Sequence, residues 1–142
     1  MDAERAFARV TGARRRAAVA SRLRRRPAAF TRLAVADERA ATRSGRPAER
    51  GIRPIPIAAI GATVEPARAR LFDDCFRPRA AARERWERLW LAEHRGAALP
   101  PISVVSVGDG AFAVRDGHHR VSVARARGAL TIDAMVDGAG AW

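Results

Sequence analysis

Lysine is missing from this chain. All 27 basic side chains are arginine, set against 15 acidic residues, so guanidinium groups alone carry the formal charge of +12. Alanine is abundant beside them, as in a strongly biased coding composition, and arginine identity by itself therefore says little about function. Cysteine is nearly missing too. With Cys75 alone, an internal disulfide framework and a cysteine-rich zinc cage are both excluded. A single thiol of this kind reads as a small, partly buried apolar residue before it reads as a nucleophile. No apolar run approaches the roughly 20 residues that a membrane-spanning helix needs. The N-terminus also lacks the apolar core of a secretory signal, so the expected location is the cytoplasm, with no membrane partner. Zinc-finger spacing and an aromatic ladder for stacking bases are likewise absent.

What is present is enough for a core: 142 residues at 48% hydrophobic content suit one small domain with an extension. Charge divides the chain. Residues 1–50 hold 14 Arg against 5 acids, a net of +9, whereas residues 51–142 hold 13 Arg against 10 acids, a net of +3. The division marks 1–50 as an arginine-rich helical extension and linker, and 51–142 as the folded domain. Within the extension the pattern predicts one helix over Arg14–Arg26, stopping near Pro27, and a second carrying Phe30, Leu33, Ala34, Asp37 and Ala41. "RSGRPAERG" (43–51) reads as a linker. The clusters Arg14–Arg16 and Arg24–Arg26 are candidates for contact with a DNA backbone, and equally for a solvated arm.

The domain opens with "GIRPIPIAAIGATVEP". Prolines at 54 and 56 interleave with Ile52, Ile55 and Ile57, a pattern confined to an edge strand because proline cannot donate to a ladder. Residues 67–79 read as an irregular linker. In "RAAARERWERLWLAEHRG" the residues Ala82, Trp86, Leu89 and Trp90 share one helical face, and Gly96 is placed to end the helix. "ISVVSV" and "AFAVR" joined by "GDG" predict a β-hairpin. A helix over about His118–Arg127 follows, then the strand "LTIDAMV" and a tail. The order is that of an α+β domain with a small mixed sheet.

The segment "VRDGHHRVSVARARG" (114–128) holds the most informative chemistry. Asp116 and Gly117 are delivered by a strand to the start of a helix, where unpaired N–H groups and the dipole together favour an anion. Gly117 permits a positive φ and close backbone approach, and Arg120 adds a fork suited to phosphate or carboxylate. His118, His119 and Arg120 are three potential cations at the wrong helix end, each costing about 0.3–1 kcal/mol unless an anion binds. A purely structural reading stays open beside this one: Asp116 as N-cap, neutral histidines, and an Arg120–Asp116 pair. Adjacent histidines point roughly 100° apart on a helix, so His118 and His119 do not share one metal ion in the usual manner.

The run "LPPISVV…GAFAVRDGHHRVSVARARGALTIDAMV", with "IRPIPIAAI" upstream, resembles the N-terminal domain of ParB-type chromosome-partition proteins and the related sulfiredoxins. The resemblance spans about residues 51–137 and implies a ParB/sulfiredoxin-like fold. Gly117 and Arg120 fall on the glycine and second arginine of the partition proteins' phosphate box, and His119 replaces the first arginine. The same turn resembles the "DGHHR" of free-serine kinases that share this fold. Sulfiredoxins carry Gly-Cys-His-Arg there, and His118 stands in place of their nucleophilic cysteine. No helix-turn-helix or dimerisation segment follows before Trp142, so a complete partition clamp is not expected. The resemblance implies a nucleotide- or nucleic-acid-phosphate-binding protein, regulatory or partition-related and DNA-associated. Gly117, His118, His119 and Arg120 would hold a nucleotide (CTP, or ATP/ADP), and Asp116 would contact a magnesium ion. DNA would lie along the N-terminal arm. The alternative is a small nucleotide-dependent phosphotransferase in which Asp116 and His118 or His119 do acid–base work, with Glu65 as a carboxylate brought in from elsewhere. Oligomeric state stays open.

Overall fold

Two adjacent apolar strands fix the centre of the molecule. The structure is a computed structural model and describes residues 2–23, 33–37 and 51–137. Its elements are helix α1 (Ala3–Leu23), strand β1 (Ala34–Val35), β2 (Gly51–Pro56), β3 (Ile60–Thr63), a single-turn helix α2 (Pro66–Ala69), α3 (Arg83–His94), β4 (Ile102–Gly108), β5 (Ala111–Asp116), α4 (His118–Ala126) and β6 (Thr131–Asp137). β4 and β5 form the expected hairpin. Asp109 and Gly110 make the turn with φ of 53° and 74°, both left-handed as a two-residue primed turn requires. The strands read as almost continuous apolar runs because both faces are covered. Val104 and Val114 face the main core, while Val105 and Ala113 face a second cluster, and all four are fully buried.

The sheet is mixed, with strand order β1-β3-β5-β4-β6-β2. β1–β3, β3–β5 and β4–β6 are parallel; β4–β5 and β2–β6 are antiparallel. The α+β class with a small mixed sheet stands. β2 is an edge strand, as its prolines demand. Ile57 N–H donates to Leu130 O at 3.0 Å, so residues of that parity face the ladder while Pro54 and Pro56 turn their missing donors outward.

Four expectations change. β3, unrecognised in "IGAT", lies between β1 and β5. The expected second N-terminal helix is strand at Ala34–Val35, paired with Ala62 and Thr63, and Leu33 (1% exposed) enters the main core. Phe30 and Ala41 lie outside the described residues, as do Arg24–Arg26, the linker 43–50 and the tail from 138 onward. The first helix begins at Ala3, well before Arg14. It starts early because Ala3, Ala6 and Phe7 are buried against Trp86, with the Phe7 and Trp86 rings edge to face at 5.6 Å. The 67–79 segment contains α2 and a closed turn that buries Phe72 and Phe76. The charge boundary near residue 50 is thus not a packing boundary. α3 matches its predicted face, with Ala82, Trp86 and Trp90 buried.

Candidate functional site

Gly117 is the hinge between β5 and α4. Its φ is 107°, and a Cβ placed there would stand 2.5 Å from Ile102 Cγ2, so both conformation and space require glycine. α4 starts directly after it, leaving the first-turn N–H groups without helical partners. Gly117, the N-cap residue, has no side chain to cap them.

His118 and His119 follow, and both rings are seated in the protein, 3% and 6% exposed. His118 Nε2 lies 2.6 Å from the Thr63 hydroxyl. That hydroxyl also accepts from Glu65 N–H at 2.9 Å and lies 3.2 Å from Val114 O. The contact stitches the end of β3 to the start of α4. Phe72 stacks on His118 and meets His119 edge to face at 5.2 Å. Burial pushes the His118 pKa down to about 4, helped by Arg68 and His119 and opposed by Asp116. Burial also takes His119 to about 4, helped by Arg85 and Arg68. At neutral pH both rings are uncharged, and the expected three cations reduce to Arg120 alone.

Arg120 is itself occupied. Its Nη1 donates to Pro100 O at 2.6 Å and Pro101 O at 3.0 Å, and its Nη2 donates to Asp116 Oδ2 at 3.2 Å. The Arg120 side chain is 12% exposed and that of Asp116 72%. The structural pairing weighed at the level of sequence is therefore present. Two further arginines, which no motif singled out, supply positive charge instead. Arg68 on α2 and Arg85 on α3 line a small pocket with Asp116, Gly117, His118, His119 and Arg120. Its volume is about 30 Å³, small beside ordinary ligand sites. Nothing in their spacing distinguishes Arg68 and Arg85 from the other arginines; only the fold brings them here.

Glu65 is exposed and does not line this pocket, although its backbone touches Thr63. Cys75 is in another part of the molecule. Among the described residues no group of three or more His, Cys, Asp or Glu is placed to hold a metal ion. Asp116 is the one carboxylate lining the pocket and is paired with Arg120. A magnesium ion there would need a nucleotide's own phosphates for its remaining ligands.

No protein-family profile matches the chain, and no curated protein matches it. Among solved structures it is similar to sulfiredoxin from Arabidopsis thaliana, with a TM-score of 0.45 and 20% identity over 62% of this chain and 85% of that one.

Proposed function

We propose that the pocket at the start of α4 binds the phosphate of a nucleotide, and that the protein is a phosphate-recognising, DNA-associated binding protein. The observation that carries this reading is the convergence of Arg68 and Arg85, from two other elements, on the free N–H groups behind Gly117. Among the described residues neither guanidinium is paired with a carboxylate. An anion there meets two forks, a row of N–H donors and the helix dipole in one place. His118 is buried with its Nε2 taken up by Thr63, so that ring does not face a substrate as an open base, which favours binding over turnover. The arginine-rich N-terminal segment provides the surface for a nucleic-acid backbone.

Calorimetric titration with ATP, CTP, ADP and orthophosphate tests the pocket. Each of Arg68→Ala and Arg85→Ala should weaken nucleotide binding by about 1.5–3 kcal/mol, the worth of a charge-assisted contact, and should leave the melting temperature nearly unchanged. Unaltered affinity in the double variant would reject the site.

A further inference from the structure

A second recess lies further along α4, between α1 and the turn at residues 73–77. It is open to solvent and measures about 290 Å³, near the lower end of small-ligand sites. Arg9 and Arg16 of α1, Arg77 of the turn and Arg125 of α4 surround it, with Cys75 in its wall and no carboxylate among its lining residues. Of the four guanidiniums only Arg77 has a carboxylate partner among the described residues, Asp73 at 3.2 Å. That carboxylate is already held by the N–H groups of Cys75 and Arg77, at 2.9 and 2.8 Å. An arginine-rich surface assembled without selection would spread its cations into solvent. Here three segments remote in sequence bring four of them to one hollow.

The wall of the recess is a built turn. Phe76 sits at φ 58°, a left-handed conformation that is uncommon outside glycine. Its ring is 1% exposed, its N–H donates to Asp73 O, and its own carbonyl accepts from the Ser122 hydroxyl. These contacts fix where Cys75 and Arg77 point. Burial, with Asp74 nearby, raises the Cys75 pKa, so the thiol is neutral at pH 7 and marks the recess without acting in it.

We propose that this recess binds a small oligophosphate, gripped by Arg9, Arg16, Arg77 and Arg125. Guanidinium forks match phosphate oxygens two at a time. Closely spaced phosphates supply the density of negative charge that three cations without a carboxylate partner, beside the Asp73-paired Arg77, call for. The site is separate from the pocket at the start of α4 and does not depend on the function assigned to it.

Because Cys75 is the sole cysteine of the chain, its alkylation reports on this recess alone. Inorganic tripolyphosphate should slow the reaction of Cys75 with iodoacetamide in the full-length protein, in a saturable manner. Arg9→Gln and Arg125→Gln leave the Asp73–Arg77 turn intact, and each should raise the concentration needed for protection about tenfold, the equivalent of one lost contact near 1.4 kcal/mol. Arg68→Ala/Arg85→Ala should keep protection unchanged. Failure of tripolyphosphate to protect the wild-type protein overturns the proposal. So does protection that survives in Arg9→Gln/Arg125→Gln or vanishes only in Arg68→Ala/Arg85→Ala. Citrate protecting more strongly than tripolyphosphate would reject phosphate as the ligand chemistry. Duplex DNA protecting more strongly, at equal phosphate concentration, would reject a small ligand.

Discussion

His118 and His119 are neighbours in sequence whose chemistry is decided by what surrounds them. One shares a proton-bearing contact with Thr63, the other turns an edge to Phe72, and both are shut away from water. Their folded pKa values are about 4, against 6.5 for the free side chain. The unfolded chain therefore takes up protons first as the pH falls. Stability is complete above about pH 6.5, declines between 6.5 and 4, and levels off below that. With two such groups the loss should be of the order of 2–5 kcal/mol. Urea unfolding at pH 7 and 4.5 measures it, and His119→Phe should flatten the curve. An imidazole NMR titration placing either ring above 6 would reject the account. At this scale the strand-to-helix junction at the pentapeptide and the need for glycine at 117 were readable in the sequence. The charge state of the histidines was not, because it depends on Phe72 and Thr63, far away along the chain.

Among the elements, α1 was legible in its arginine-rich half, while its start was not. Ala3, Ala6, Phe7 and Val10 follow helical spacing, but so short an apolar face carries little periodic signal. β1 and β3 were not legible, since strands of two and four residues are too short to show an alternation. Arg120 belongs to this scale as well. Its guanidinium ties the Pro100–Pro101 segment to the first turn of α4. Dipole reasoning alone predicts that removing a cation from a helix start is neutral or stabilising. The carbonyls of Pro100 and Pro101 exchange their donor for water in Arg120→Ala, so that variant should instead be destabilised by about 0.5–1.5 kcal/mol. A shift of the urea midpoint measures this, and an unshifted or raised midpoint would restore the dipole argument.

For the molecule as a whole, the excess of positive charge in residues 1–50 remains the feature that predicts attraction to nucleic acid. Deleting that segment would be a poor test. Phe7 packs on Trp86 and Leu33 lies in the main core, so a 51–142 fragment would lose packing together with charge. Substituting Arg15 and Arg16, both exposed, by glutamine removes charge with little loss of packing. Log affinity for duplex DNA against log salt should then become shallower by about 0.9 for each of these side chains that touches a phosphate. Identical slopes for the two proteins would clear this cluster of any part in DNA contact. The α+β class, the hairpin, the proline-bearing edge strand and the aromatic face of α3 all followed from local pattern. The reach of the sheet back to residue 34 did not, because it rests on pairing between distant segments.

Strand order also constrains the synthesis of the chain. β6 lies between β4 and β2, and Gly51 is aligned with Val136. β2 is synthesised long before any strand it can pair with, and it stays outside the sheet until residues 131–137 have left the ribosome. The hairpin, by contrast, can close as soon as its turn emerges. The interleaved prolines of β2 then have a second use: a strand that must wait is one that cannot readily template pairing with another chain in the meantime.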